Sequence, residues 1–245
     1  MLDIKSMFTS IKIVIVVYCA SLTVAGQNEI VLFEDFETPK TENFITYFSG
    51  DTLTTSNNVW QVTADSIDLF ETTDVPEVTS FDGTQALDMT GTPGAGIIET
   101  SFESQVGQFY ELIFHYAHNA LIEEPADAQV DVLGISVLLI QTVQHNLPFD
   151  QFLEFRDHFV ADSTMTTLRF SSLDFTGLFG VTIDGISIRS FTIGDVNGDS
   201  VVNLLDVAQF VDRLSTGIFQ AEADINQDGA VNLLDVDPFI ALLNG

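Results

Sequence analysis

The sequence predicts a mostly β chain: an antiparallel β-sandwich followed by a small all-α module built from a duplicated loop and helix. Three observations predict it. Apolar and polar residues alternate through the long middle of the chain, which is the period of a strand with one face covered. Turn signals such as Asp82-Gly83, Thr92-Pro93-Gly94 and Asp184-Gly185 interrupt those runs. The end of the chain then repeats itself: DVNGDSVVNLLD at 195–206 returns as DINQDGAVNLLD at 224–235, an offset of 29 residues.

The chain opens differently. Lys5 and Lys12 precede an apolar run from Ile13 to Ala20, and Ser21-Leu22-Thr23-Val24-Ala25-Gly26 follows. A positive start, a short apolar stretch and a small-residue exit describe a secretory signal peptide over 1–26, cut near Ala25 or Gly26. A retained signal anchor is the competing reading, although the run is short for a membrane span. The only cysteine, Cys19, lies inside this segment. The mature chain therefore excludes disulfides, thiolate catalysis and cysteine zinc sites. With 7 Lys and Arg against 36 Asp and Glu, the net charge is −29. A surface so acidic repels nucleic acid and anionic membranes. The expected location is extracellular or at the cell surface, with no membrane insertion once the signal is removed.

Residues 27–192 are the predicted sandwich. Tyr110, Leu112, Phe114 and Tyr116 share one face of a strand over 108–116, and 167–170 and 181–184 alternate too. Ile135 to Ile140 is more uniformly apolar, as in a strand covered on both faces. Trp60, the only tryptophan, lies in a strand and is expected to be buried. Tyr47, Phe70 and Phe81 sit near turn-rich segments where they could line a ligand.

Several phrases in this stretch go further. Phe33-Glu-Asp-Phe-Glu37, Trp60-Gln-Val-Thr63, Gln85-Ala-Leu-Asp-Met89, Gly94-Ala-Gly96, Thr167-Leu-Arg-Phe170 and Ile183-Asp-Gly-Ile-Ser187 follow in that order. Together they resemble choice-of-anchor type C domains, which are similar to galactose-binding-like jelly rolls and carbohydrate-binding modules. The resemblance implies a jelly-roll β-sandwich and an extracellular polysaccharide as ligand, with no ligand-binding residue assigned. It also implies one structural calcium ion between the first and last strands, with Glu37 and Asp184 as candidate ligands; solvated carboxylates are the other reading.

The repeats carry the sharpest chemistry. Counting each first Asp as position 1, oxygen-bearing side chains fall at positions 1, 3, 5, 9 and 12. These are Asp195, Asn197, Asp199, Asn203 and Asp206, then Asp224, Asn226, Asp228, Asn232 and Asp235. The backbone carbonyls of Val201 and Ala230 supply position 7. Such a set wraps the chain around one Ca²⁺ per loop, so two ions are expected here. Position 6 is Gly229 in the second loop but Ser200 in the first, where a sharp turn prefers glycine, so the first site is expected to be the weaker. Beyond the loops Phe210, Val211 and Leu214 map onto Phe239, Ile240 and Leu243, one apolar helical stripe per unit.

A duplicated loop and helix with this ligand pattern over 193–245 resembles the type I dockerin, the module that plugs secreted proteins into cohesin receptors. The resemblance implies a cohesin-like partner and places its recognition at loop positions 10 and 11. Here those are Leu204 and Leu205, then Leu233 and Leu234. Core packing and exposure are both open for them. Polysaccharide binding or breakdown is the implied context.

No nucleophile elbow, phosphate loop or zinc-binding helix is present. His115 and His118 are three apart on a strand and so face opposite ways, and His145 and His158 stand alone. The acidic stretch Glu123-Glu124-Pro125 with Asp127 could hold one carboxylate of a glycosidase pair. The favoured expectation is a non-catalytic module that binds glycan and docks through its tail. A structural or adhesive protein without glycan affinity and a small polysaccharide hydrolase are the alternatives.

Overall fold

A computed structural model describes residues 28–72, 80–92, 94–118, 125–146, 148, 151–174 and 180–244. The predicted signal peptide and Glu123-Glu124 lie outside them. The first strands in the chain are β1 (Ile30–Glu34), β2 (Phe44–Phe48), β3 (Thr52–Thr54), β4 (Val59–Ala64), β5 (Ser66–Glu71), β6 (Gln85–Asp88) and β7 (Ile97–Glu103). Then come β8 (Phe109–His118), β9 (Ala126–Leu133), β10 (Val137–His145), β11 (Leu153–Val160), β12 (Met165–Ser172) and β13 (Val181–Phe191). Two helices close the chain, α1 (Val207–Thr216) and α2 (Val236–Leu243).

The strands form two antiparallel sheets. The first runs β11-β8-β13-β6-β5-β2, with β1 also paired to β13; the second runs β10-β9-β12-β7-β4-β3. They pack face to face as a β-sandwich, and the alternation explains why. Tyr110, Leu112 and Phe114 of β8 point inward to meet Ile98, Val130, Val132, Leu168 and Phe170 of the opposite sheet. Trp60 is fully buried, and its indole N–H donates to Glu34 at 2.8 Å. Glu34 is itself buried and accepts further bonds from Thr55, Asn58 and the Phe36 amide, so its charge is met by donors on every side.

Two strand expectations are corrected. Ile135 to Ile140 is not covered on both faces: Ile135 is 84% exposed at the β9–β10 turn, and Val137 and Ile140 are exposed on β10. That strand is an edge of the second sheet, so half of its surroundings are solvent. Asp184-Gly185 is not a turn between strands. It is a bulge within β13, where the register against β8 shifts between Asp184 and Ser187, and Gly185 takes the left-handed conformation there at φ 56°.

The tail packs around its own small core of Val196, Phe210, Ala223, Ile225, Val231 and Phe239. The Phe210 and Phe239 rings lie 4.1 Å apart. It sits against the sandwich through Arg189 of β13, which bonds Glu111 of β8 at 2.7 Å and also reaches Glu222 of the tail. Within the tail, the Gly194 amide donates to the Glu222 carbonyl at 2.8 Å.

Candidate calcium loops and docking surface

Each loop is folded by its own candidate ligands. In the first, the Asp195 carboxylate accepts the amides of Asp199 and Ser200 at 3.0 and 2.9 Å. Asp206 reaches back to accept those of Asn197 and Asn203 at 3.0 and 2.8 Å. In the second, Asp224 accepts the amides of Asp228 and Gly229, and Asp235 those of Asn226 and Asn232. The Asn at position 9 accepts from the amide of position 11 in both, Leu205 and Leu234, at 2.8 Å. The repeat in sequence is thus a repeat in hydrogen bonds.

Asp195, Asp206, Asp224 and Asp235 are all buried. Burial pushes the carboxyls of Asp195 and Asp224 above the ordinary range; amide bonds pull them back, and the neighbouring loop aspartates push them up again. Among the described residues no three His, Cys, Asp or Glu side chains close on one point by themselves. The shell offered by each loop is mixed instead, with carboxylates, two asparagine oxygens and a backbone carbonyl, the oxygen-only donor set of a hard cation. The residues of the loops therefore fit calcium.

Glu37 and Asp184 each bond backbone amides of the loop over 81–85. Glu37 accepts from the Thr84 and Gln85 amides and sits 2.8 Å from the Lys40 ammonium. Asp184 accepts from the amides of Phe81, Asp82 and Gly185 at 2.9, 3.0 and 2.7 Å. The two share no partner among these bonds. They pin loops to the sheet.

The expected weakness of the first loop has a counterpart in the second. Positions 4 and 6 both adopt left-handed backbone: Gly198 and Ser200 at φ 73° and 73°, Gln227 and Gly229 at φ 60° and 86°. Each loop has one glycine and one side-chain-bearing residue at these positions, so the strain is shared between them.

The helical stripes are only half buried. Phe210 and Phe239 enter the core, but Val211 and Ile240 are exposed. The four leucines settle the open choice: Leu204, Leu205, Leu233 and Leu234 are 76, 69, 81 and 67% exposed. None is core. Each unit therefore presents an apolar patch at the start of its helix, which sequence reasoning missed for Val211 and Ile240. Their signal is that an apolar residue directly after a buried one on a helix points elsewhere.

Residues 193–244 match the family model of the dockerin type I domain. No curated protein matches the chain. Among solved structures the chain is similar to the CBM22-1 xylan-binding domain from Paenibacillus barcinonensis Xyn10C, at 14% identity and TM-score 0.42, over 68% of this chain and 97% of that one. It is also similar to a family 35 carbohydrate binding module from Clostridium thermocellum, at 12% identity and TM-score 0.39, over 64% and 95%. An arabinose-bound MgGH51 α-L-arabinofuranosidase gives 9% identity and TM-score 0.42, over 82% of this chain and 32% of that one. Likenesses this slight decide nothing about the chemistry of this chain.

In the sandwich, His145 does not stand alone. His118 and His145 meet Nδ1 to Nδ1 at 2.7 Å across the end of the core, and His145 Nε2 lies 2.7 Å from the Gln151 carbonyl. With Nε2–H donating to that carbonyl, His145 Nδ1 accepts and His118 donates. Burial holds both rings below the ordinary histidine range, so they are a neutral, mutually satisfied pair.

Proposed function

We propose that this is an extracellular, non-catalytic protein of two working parts behind a signal peptide: a sandwich over 27–192 that binds a glycan, and a calcium-ordered dockerin-type tail over 193–245 that docks to a cohesin-type domain. The observation that carries the docking part is the exposure of Leu204, Leu205, Leu233 and Leu234, at the loop positions that recognise the partner in that family. Four bare leucines on so small a module are costly in water unless something covers them.

Bound calcium supplies the positive charge that the loop carboxylates lack. Asp195, Asn197, Asp199, Val201, Asn203 and Asp206 would hold one ion, and Asp224, Asn226, Asp228, Ala230, Asn232 and Asp235 the other. The chain's own part is geometric: position 12 accepts the amide of position 9, and position 9 accepts the amide of position 11, so an ordered loop fixes the direction in which positions 10 and 11 project. The non-catalytic reading is supported by the buried carboxylates of the sandwich. Glu34 and Glu111 are each occupied by several donors, and Asp184 is fully buried, out of a substrate's reach.

The test is capture of the full chain on immobilised cohesin-type domains, with calcium and with chelator. The expected result is binding that chelator abolishes and that Leu→Ser replacement at 204, 205, 233 and 234 removes, with the sandwich still folded. Binding that survives either treatment, or no binding to any domain of the panel, would sink the docking reading.

A further inference from the structure

The exposed aromatic side chains of the sandwich are distributed unevenly. Among the described residues those exposed to this degree are Phe33, Phe44, Phe48 and Phe81. Phe33, Phe44 and Phe48 lie on β1 and β2 of the first sheet. Phe81 lies in the loop pinned to that sheet through Asp184. The second sheet turns Trp60, Phe102 and Phe170 inward, and among the described residues its strands expose no aromatic side chain.

Phe81 is held more tightly than an exposed loop residue usually is. Its amide and that of Asp82 both donate to the fully buried Asp184 carboxylate, at 2.9 and 3.0 Å. Its ring lies on the His115 imidazole at 3.4 Å with an interplanar angle of 7°. Phe152 stands beside it at 6.2 Å. A Cβ added at Gly185 would come within 2.8 Å of the Phe81 ring, so the bulge in β13 is glycine where the ring must pass. One ring face is thus covered by His115, yet Phe81 remains 48% exposed. Such a ring is fixed in advance of any ligand.

The surroundings supply hydrogen-bonding groups. In cross-strand register, Glu154 of β11 lies beside His115 of β8, and Arg156 beside Ile113. Ile113 pairs with Ser187 of β13, which pairs with the exposed Phe33 of β1. An aromatic face flanked by carboxylate, imidazole and guanidinium is the composition that takes a sugar: the C–H face of a pyranose stacks on the ring while its hydroxyls bond to the polar rim. The net charge of −29 opposes polyanions.

We propose that Phe81, backed by His115 and flanked by Glu154 and Arg156, is the stacking platform of a binding site for a neutral polysaccharide on the outer face of the first sheet. This rests on the glycan-binding reading above and names its site and ligand class. The experiment is affinity electrophoresis of the full chain, with calcium saturating, in gels containing xylan, β-1,4-galactan, mixed-linkage β-glucan or galactomannan. The wild type is expected to be retarded by at least one of them. Phe81→Ala should weaken that retardation at least tenfold without lowering the melting temperature of the sandwich. Phe44→Ala, which removes a still more exposed phenylalanine at the far edge of the same sheet, should leave it unchanged. Gly185→Ala, which keeps the ring but displaces it, should behave like Phe81→Ala. Retardation unaltered in Phe81→Ala, or lost in Phe44→Ala alone, would overturn this site and leave glycan binding standing. No retardation of the wild type in any gel would overturn the glycan-binding reading itself.

Discussion

Single residues decide how well the loops close. Ser200 and Gln227 hold left-handed backbone that side-chain-bearing residues adopt at a cost of about 1 kcal/mol. Ser200→Gly should therefore tighten calcium binding by the first loop about fivefold, and Gln227→Gly should do the same for the second. Isothermal titration of each variant checks this; affinity unchanged in both would mean that the ion, not the backbone, sets the loop conformation. Asp184 makes a second prediction. Burial raises its carboxyl to about 7, against the pull of the Asp82, Gly185 and Phe81 amides. A raised folded-state value means that the folded protein holds the proton more tightly than the unfolded chain. The stability tied to this group is full below about pH 4 and is lost as pH rises through about 7. The sandwich should melt at a lower temperature at pH 8 than at pH 5, and Asp184→Asn should flatten that slope. Equal slopes for the two proteins would contradict the assignment.

At the scale of elements, the helices explain why calcium should matter to folding. α1 and α2 have 10 and 8 residues, too few to persist in water unaided, and their shared core is little more than Phe210 on Phe239 with a ring of smaller residues. Against that stands a set of buried aspartates that repel one another. Chelation should therefore melt α1 and α2 and leave the sandwich intact, read as lost helical circular dichroism with the strand signal kept; a chelator-insensitive helix signal would refute it. The same locality is why the tail was legible from sequence: the hydrogen bonds from the loop Asp and Asn side chains span fewer than ten residues, so the spacing of Asp and Asn already contains the geometry. The sandwich core was legible through alternation in β8, β12 and β13. What alternation cannot reveal is a strand's neighbours. Ile135 to Ile140 read as buried because its composition is apolar, yet β10 lies at an edge. His118 and His145 come together from strands of different sheets, and Phe81 acquires its partner His115 only when a bulge brings the loop down on β13. These depend on pairings between distant segments, which no local window holds.

At the scale of the whole molecule, the two modules are joined by charge. Glu111 of the sandwich and Glu222 of the tail are both buried, and Arg189 lies between them, bonded to each. Glu111 has a second partner in Arg156 at 2.9 Å, whereas among the described residues Glu222 pairs with Arg189. Removing the guanidinium strands one buried carboxylate on the tail side. Glu222 is also the residue whose carbonyl receives the Gly194 amide, directly ahead of Asp195, and it stands two residues before Asp224. A strain at Glu222 thus reaches the opening ligand of both loops. Arg189→Leu should leave the sandwich melting near its original temperature, because Arg156 still answers Glu111. The tail should lose about 1–3 kcal/mol, in the range for a buried group left unsatisfied, and its calcium titration should move to higher concentration. Calorimetry of the full chain at fixed calcium would then resolve an early tail transition from the sandwich. If the tail melts where it did before, and calcium binds as before, the ion bridge only positions the modules and the loops owe nothing to the sandwich behind them.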